Sequence, residues 1–313
     1  MITVICPTYN EKEFIEQIIR FFLYAKPNDK ELLIVDGGST DGTCEIVKKW
    51  VSKHNNIKLI DNPDKYVPFA LNKAIKMSSG DPIIRLDAHT EFAEDYFEKI
   101  IETFNITSAD VVGGPMRARG KSNFQKAVAY ATGTVFGVGD SKIHQENYAG
   151  ESDHVYLGAW KRKLFEKIGF FDERLLRNQD DEFHYRAKSM GRKVFMNPDI
   201  KSFYYPRDSI KKLVSQYSQY GLFKPLVLKK IKSEIKLRHL IPSIFCIYLV
   251  GLPLSYFSVL YLIPMLVYML LNLYFSLKID NKVLIGIITL IIYPAIHISY
   301  GWGFITGLFK KFS

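Results

Sequence analysis

In the first part of the chain, apolar residues come in short unbroken runs that end in polar clusters, with helix-spaced stripes between them. Ile2-Thr3-Val4-Ile5-Cys6-Pro7 leads into Thr8-Tyr9-Asn10-Glu11, and Leu32-Leu33-Ile34-Val35 into Asp36-Gly37-Gly38-Ser39-Thr40-Asp41-Gly42. Pro82-Ile83-Ile84-Arg85-Leu86 leads into Asp87-Ala88-His89. Runs this short and this apolar read as strands covered on both faces. The stretch Glu11–Ala25 carries Phe14, Ile15, Ile18, Ile19, Phe22 and Leu23 at helical spacing. Thr40 or Asp41 can cap a helix through Trp50, with Cys44, Val47 and Val51 facing inward. Ile57–Ile60 reads as a short strand, Pro68 opens a helix that Gly80 ends, and a further helix through Phe104 precedes strand Val111-Val112-Gly113. This alternation predicts an α/β fold: a mostly parallel sheet with helices on both faces and a ligand crevice along its carboxyl edge.

Beyond Gly114 the pattern loosens, and residues 117–157 show weak periodicity among Gly, Ala and aromatic residues. Lys161–Ile168 reads as a helix, and Asn178-Gln179-Asp180-Asp181-Glu182 begins another that ends near Gly191. Ile210–Leu237 mixes Leu, Val, Tyr and Phe with Lys, as an amphipathic surface helix would. The 38 residues from Leu240 to Leu277 contain no Asp, Glu, Lys or Arg, room for two membrane passes of about 19–20 residues each, with a turn at Pro253, Ser255 and Tyr256. A second uncharged run of 27 residues, Val283–Phe309, offers a third pass, or a bent or re-entrant segment at Pro294 and glycines 301, 303 and 307. His297 in that run reads as a neutral histidine bonded to a neighbouring helix.

Charge sharpens this division. Residues 1–206 hold 29 basic and 29 acidic residues, residues 207–238 hold nine and two, and the whole chain carries a net charge of +10. A basic stripe directly before a greasy segment points to an anionic membrane surface, not to nucleic acid. The expected organisation is a cytoplasmic catalytic domain over 1–206, a basic interface segment over 207–239 and a membrane region over 240–313. Ile2 already belongs to the first strand, so no leader is expected before it. Lys229, Lys230, Lys232, Lys236 and Arg238 favour the cytoplasmic side, Lys278 and Lys282 return to it, and Lys310 and Lys311 also prefer it. The number of passes, two or three, stays open. Cys6, Cys44 and Cys246 have no metal spacing and read as small apolar residues in a reducing compartment.

The strand ends carry the candidate chemistry. Neither G-x-G-x-x-G nor a Walker loop is present, which disfavours nicotinamide, flavin and P-loop chemistry. Asp36 stands where its carboxylate can accept from a base N–H or a sugar hydroxyl, while Asp87 and His89 can serve a ribose and a divalent cation on phosphates. For each motif the plainer alternative is turn or helix-cap chemistry, and for the acidic cluster at 180–182 it is the positive end of a helix.

The ordered set CPTYNE, IVDGGSTDGT, RLDAH and NQDDEFHYR resembles the inverting family 2 glycosyltransferases of GT-A fold, in particular the bacterial exopolysaccharide branch typified by succinoglycan glucosyltransferases. The resemblance spans roughly residues 1–225 and implies a nucleotide-sugar donor with Mg²⁺ or Mn²⁺ on its diphosphate. It places Pro7, Tyr9 and Glu11 in the nucleotide-contacting first turn and Asp36 at the base. Asp87 falls at the donor, His89 stands where the family's second metal aspartate would be, and Asp180 is the general base, with Asp181 and Glu182 beside it. The family's Gln-x-x-Arg-Trp element survives only as Gln216-Tyr217-Ser218-Gln219-Tyr220, which argues against a processive synthase and leaves Gln216, Tyr220 and Asp181 as acceptor- or diphosphate-side candidates. The activity implied is transfer of one sugar from a UDP-type donor to a polyprenyl-diphosphate-linked saccharide at the cell membrane. The alternatives are transfer to a polyprenyl monophosphate and a catalytically silent nucleotide-binding scaffold.

Overall fold

The computed structural model describes residues 1–279 and 282–310. Asp280 and Lys311, both counted in the charge balance, lie outside the described residues. The first half alternates β1 (Ile2–Thr8), α1 (Ile15–Tyr24), β2 (Lys30–Asp36), α2 (Thr43–Val51), β3 (Ile57–Asp61), α3 (Val67–Met77) and β4 (Ile83–Arg85). There follow β5 (Thr90–Phe92), α4 (Tyr96–Thr107), β6 (Val111–Gly114), β7 (Arg117–Ala118), α5 (Asn123–Thr132) and α6 (Val135–Val138). Then come β8 (Gly150–Glu151), β9 (Tyr156–Trp160), α7 (Arg162–Ile168), α8 (Gln179–Ser189), β10 (Val194–Met196) and β11 (Ser202–Tyr204). The remainder is helical: α9 (Ile210–Lys230), α10 (Leu237–Val250), α11 (Ile263–Leu277) and α12 (Val283–Leu308).

By contacts the chain falls into two units, 1–117 with 145–204, and 118–144 with 205–313. The contiguous 1–206 domain expected from the sequence is therefore interrupted: 118–144 belongs with the C-terminal helices, because Ala127, Val128 and Ala131 of α5 join Leu213, Ile285, Ile292, Tyr293 and Ile296 in one apolar cluster.

The first unit is built on an eight-stranded sheet in the order β3-β2-β1-β4-β9-β6-β10-β8, with a small sheet β5-β11-β7 beside it. Pairs β1–β2, β2–β3, β1–β4 and β6–β10 are parallel, whereas β9 runs antiparallel to both β4 and β6. Ile15, Ile18, Ile19 and Phe22 of α1 cover one face of β1 and β2, which accounts for the unbroken apolar runs of those strands. Because β1, β2 and β4 are parallel, Thr8, Asp36 and the residues after Arg85 reach the same sheet edge. Helix α1 starts at Ile15 and not at Glu11, and in the turn before it the backbone N–H groups of Glu11 and Lys12 donate to Thr43 Oγ1 (2.9 Å) and Asp41 Oδ2 (3.0 Å).

In the second unit α12 is helical throughout Val283–Leu308, with Pro294 inside it. Pro294 deprives the Leu290 carbonyl of its helical donor, and Asn272 Nδ2 of α11 supplies one at 3.0 Å. Glycines 303 and 307 act as contact surface: a Cβ on Gly303 would fall on the Ser218 carbonyl of α9, and one on Gly307 on the Leu222 carbonyl. Gly301 does the same against the Pro242 carbonyl of α10. Helix α9 ends at Lys230, short of the expected Leu237, and buries Phe223, Leu226, Val227 and Leu228, so it is a packed helix and not a free surface one. His297 Nε2 hydrogen-bonds to the carbonyl of Phe136 at 2.9 Å, and Nδ1 to the Tyr268 hydroxyl at 3.0 Å. Val259–Leu277 and Val283–Leu308 are long and apolar enough to cross a membrane, whereas Leu237–Val250 is a shorter apolar helix. Gly303→Leu is expected to destabilise this unit by about 1–3 kcal/mol through overpacking, read as a lowered thermal midpoint of the detergent-solubilised protein.

Candidate active site

Two loops after parallel strands are laced together by short polar side chains. Asn10 adopts a left-handed backbone with φ of 55°; its N–H donates to Ser39 Oγ (2.8 Å) and its Oδ1 accepts from Thr40 N (2.8 Å). The N-cap of α2 is left-handed Gly42 and not the expected Thr40 or Asp41; Asp41, one residue earlier, accepts from Thr43 N at 3.0 Å through Oδ1. Asp36 is buried at the end of β2, where its carboxylate accepts from Gly38 N (2.9 Å), Ser39 N (2.8 Å) and Ser39 Oγ (2.5 Å). Its visible role is thus to fold its own turn. Tyr9 is half exposed beside this turn. A Cβ on Gly37 would meet the Lys65 carbonyl oxygen at 3.0 Å and the Tyr9 ring at 3.4 Å, so glycine keeps these walls close. Pro7 pairs in register with Val35 within the sheet.

At the end of β4, Asp87 is held by Arg85: Nε donates to Oδ1 at 2.8 Å and Nη2 to Oδ2 at 3.1 Å. The Asp87 charge also reaches Cys6, whose thiol burial pushes up to about 12 with Asp87 adding to the shift, so Cys6 is an inert packing thiol. His89 Nδ1 lies 3.2 Å from Glu11 Oε1, joining the first turn to the third strand end.

Asp180 and Asp181 open α8, whose N-cap Asn178 is left-handed at φ 59°. Burial and the Asp181 charge push the Asp180 carboxyl above the usual carboxylate range, while Arg85 and His154 pull it back. Asp180 in turn adds to the field that keeps Arg85 charged, as Asp87 does. The charges at 87 and 180, far apart in sequence, therefore both act on one buried guanidinium, which hydrogen-bonds the first of them. Asp181 Oδ1 lies 3.6 Å from His154 Nε2, and Glu182 is fully buried with Oε1 accepting from Arg186 Nε at 2.9 Å.

Two residues of this site, His154 and Tyr156, carry no signal in the sequence patterns, and Arg85 enters them only as the first residue of RLDAH, with no role attached. Tyr156 shares a 3.2 Å hydrogen bond with Thr90 Oγ1 and feels the Asp87 charge. It is placed by a bulge in β9, where Leu157 (φ 60°) and Gly158 (φ 83°) are both left-handed. Gln216 and Tyr220 belong to the second unit, where Gln216 Nε2 donates to the Tyr220 hydroxyl at 3.0 Å.

Among the described residues no three His, Cys, Asp or Glu side chains converge on a ready-made metal cage. One carboxylate and one imidazole, Asp87 and His89, still fit a cation that takes its other ligands from phosphates and water, as Mg²⁺ and Mn²⁺ do.

Known proteins share stretches of this sequence and this fold. The chain is 32% identical over 243 residues to the succinoglycan biosynthesis protein ExoA of Rhizobium meliloti (strain 1021), covering 76% of this chain and 73% of that protein. It is 31% identical over 240 residues to the dolichyl N-acetyl-alpha-D-glucosaminyl phosphate 3-beta-D-2,3-diacetamido-2,3-dideoxy-beta-D-glucuronosyltransferase of Methanococcus voltae, covering 73% and 74%. The fold is similar to that of the mannosyltransferase PcManGT from Pyrobaculum calidifontis in complex with GDP-Man and Mn²⁺, with a TM-score of 0.57 at 20% identity over 75% of this chain and 65% of that one. The family model described as Glycosyl transferase family 2 matches residues 3–190, the segment that carries every strand-end motif and Asp180. The chain belongs to glycosyltransferase family 2, with a GT-A type α/β fold and the hexosyl-transfer activity of that family.

Proposed function

We propose that this glycosyltransferase moves one sugar from a UDP-type nucleotide sugar to a polyprenyl-diphosphate-linked saccharide at the cytoplasmic face of the cell membrane. The charges of Asp87 and Asp180, both acting on the buried Arg85, carry the reading, because they bring a donor-side carboxylate and a candidate base within electrostatic reach of one residue. Asp180 takes the proton of the acceptor hydroxyl, and the acceptor oxygen attacks the anomeric carbon. The bond to the diphosphate breaks with its electron pair leaving on the phosphate oxygen, and the configuration inverts. Asp180 suits this work, since a carboxyl whose affinity for protons is raised is a better base once ionised. Tyr9 and Asp36 line the base side of the donor and Asp87 its ribose and phosphate side. Asp87 and His89 would hold Mg²⁺ or Mn²⁺, which when bound neutralises the charge of the leaving diphosphate.

The membrane part of the reading draws on the two helices long and apolar enough to span, on the basic residues before them, and on the lipid-linked acceptor in the name of the Methanococcus relative. Two spans, α11 with its preceding turn and α12, would return the chain to the side it started from.

Full-length protein supplied with Mn²⁺, a panel of nucleotide sugars and lipid-linked saccharides tests this. Product with a UDP-sugar and a polyprenyl-diphosphate saccharide is expected; product solely with polyprenyl monophosphate would replace the acceptor reading. Nucleotide binding without product from any donor would leave the silent scaffold. The same assay checks the cation site. Glu11 Oε1 meets His89 Nδ1 and so orients the ring, and Glu11→Gln is expected to raise the Mn²⁺ concentration for half-maximal activity by about 10–100-fold.

A further inference from the structure

Arg85 is a charged residue inside an otherwise apolar run, and the reaction outlined above gives it no direct contact with substrate. It is 7% exposed, and its Nε and Nη2 clasp both oxygens of Asp87. Nη1 is buried with no hydrogen-bond partner among the described residues. A guanidinium donor held out of water needs an acceptor, and a charged one is best met by an anionic oxygen.

The fork fixes the direction of this donor. With Nε and Nη2 spent on Asp87, Nη1 projects from the opposite corner of the guanidinium plane, and the other carboxylate whose charge reaches that plane is Asp180. The unused donor lies on the side of the guanidinium turned away from the Asp87 bonds, and the same group feels the Asp180 charge. A hydroxyl of sugar or acceptor is a weaker match than phosphate, to whose oxygens a planar guanidinium is well suited. We propose that Arg85 is a substrate-contacting residue whose Nη1 donates to an oxygen of the nucleotide-sugar diphosphate, holding the leaving group while Nε and Nη2 orient Asp87. This rests on the sugar-transfer reading above and adds to it a diphosphate contact that does not pass through the cation.

Calorimetric titration of the full-length protein with UDP and with uridine, each in Mn²⁺ and in EDTA, tests the assignment on wild type, Arg85→Gln and Arg85→Lys. In wild type the preference for UDP over uridine should persist in EDTA. In Arg85→Gln, UDP binding should weaken by roughly 10–100-fold, the scale of one charged hydrogen bond, while uridine stays within about twofold. Lysine can still pair with Asp87 but has no second arm, so Arg85→Lys should also lose UDP affinity at unchanged uridine affinity. It decides the matter should the glutamine variant fail to fold. Unchanged UDP binding in either folded variant, equal losses for UDP and uridine, or no UDP preference in wild type once the cation is removed would each overturn the contact. Wild type that binds neither UDP nor GDP in Mn²⁺ would overturn the donor reading, and this contact with it.

Discussion

Asp180→Asn should lower turnover by about 10²–10⁴-fold while leaving nucleotide affinity near that of wild type. The substitution keeps the shape of the side chain and removes the lone pair that accepts the acceptor's proton. It should not unfold the protein. The Asp180 carboxyl is shifted upward first by burial and then by Asp181, so near neutral pH its ionised form is less favourable in the fold than in the unfolded chain. A neutral amide removes that penalty, and the thermal midpoint should stay level or rise. Loss of activity without loss of stability separates a base from a structural cap.

The pH profile follows from the same sign. A base works when deprotonated, and a raised pKa places the acid limb of kcat above the ordinary aspartate range, with activity falling as pH drops through it. Asp181, Arg85 and His154 face the group, and of these Asp181 alone pushes the pKa up. Asp181→Asn should therefore move the limb to lower pH. A limb that stays in place would remove Asp180 from the base role, or Asp181 from its field.

The parts of this site that were legible in the sequence are those whose signal is local. Each parallel strand is apolar on both faces and stops at a polar turn, so Glu11, Asp36, Asp87 and His89 announce themselves by position. Arg85 does not: inside Ile83-Ile84-Arg85-Leu86 it looks like a flaw in a strand, and its meaning comes from Asp180, 95 positions later. The 117–157 stretch was unreadable because it serves two masters. Its first part packs on α12, whereas its last part enters the sheet antiparallel and bulged, and left-handed Leu157 and Gly158 break the period of two. Glycines 301, 303 and 307 show the same limit. A glycine that bends a helix and one that admits a neighbour look alike until the neighbours, α10 at Gly301 and α9 at Gly303 and Gly307, are placed. Asp36 is a different case, since its position was legible but its carboxylate proves committed to Gly38 and Ser39, so any contact with the base must use lone pairs beyond those bonds.

Trp160→Ala should cost about 3–5 kcal/mol, the range for emptying a large aromatic site, which for a unit of this size is a fall of roughly 6–20 °C in the thermal midpoint. Trp160 is fully buried in β9, with Phe165, Phe171 and Phe183 around its ring at centroid distances of 6.0, 5.5 and 6.2 Å. Its Nε1–H donates to His184 Nε2 at 3.3 Å. Burial first, and the His154 charge after it, lower the His184 pKa to about 3, so the ring is neutral and can accept that bond. Alanine would leave both a cavity and an imidazole acceptor with its donor gone. The consequence extends to chemistry because Phe183 and His184 lie one turn after Asp180 on α8. Trp160→Phe separates the two contributions. It fills much of the cavity but drops the N–H, so it should cost about 1–3 kcal/mol and lower kcat more than it weakens nucleotide binding. Equal stability of Trp160→Phe and wild type would mean that packing alone, without the bond to His184, fixes the helix that carries the base.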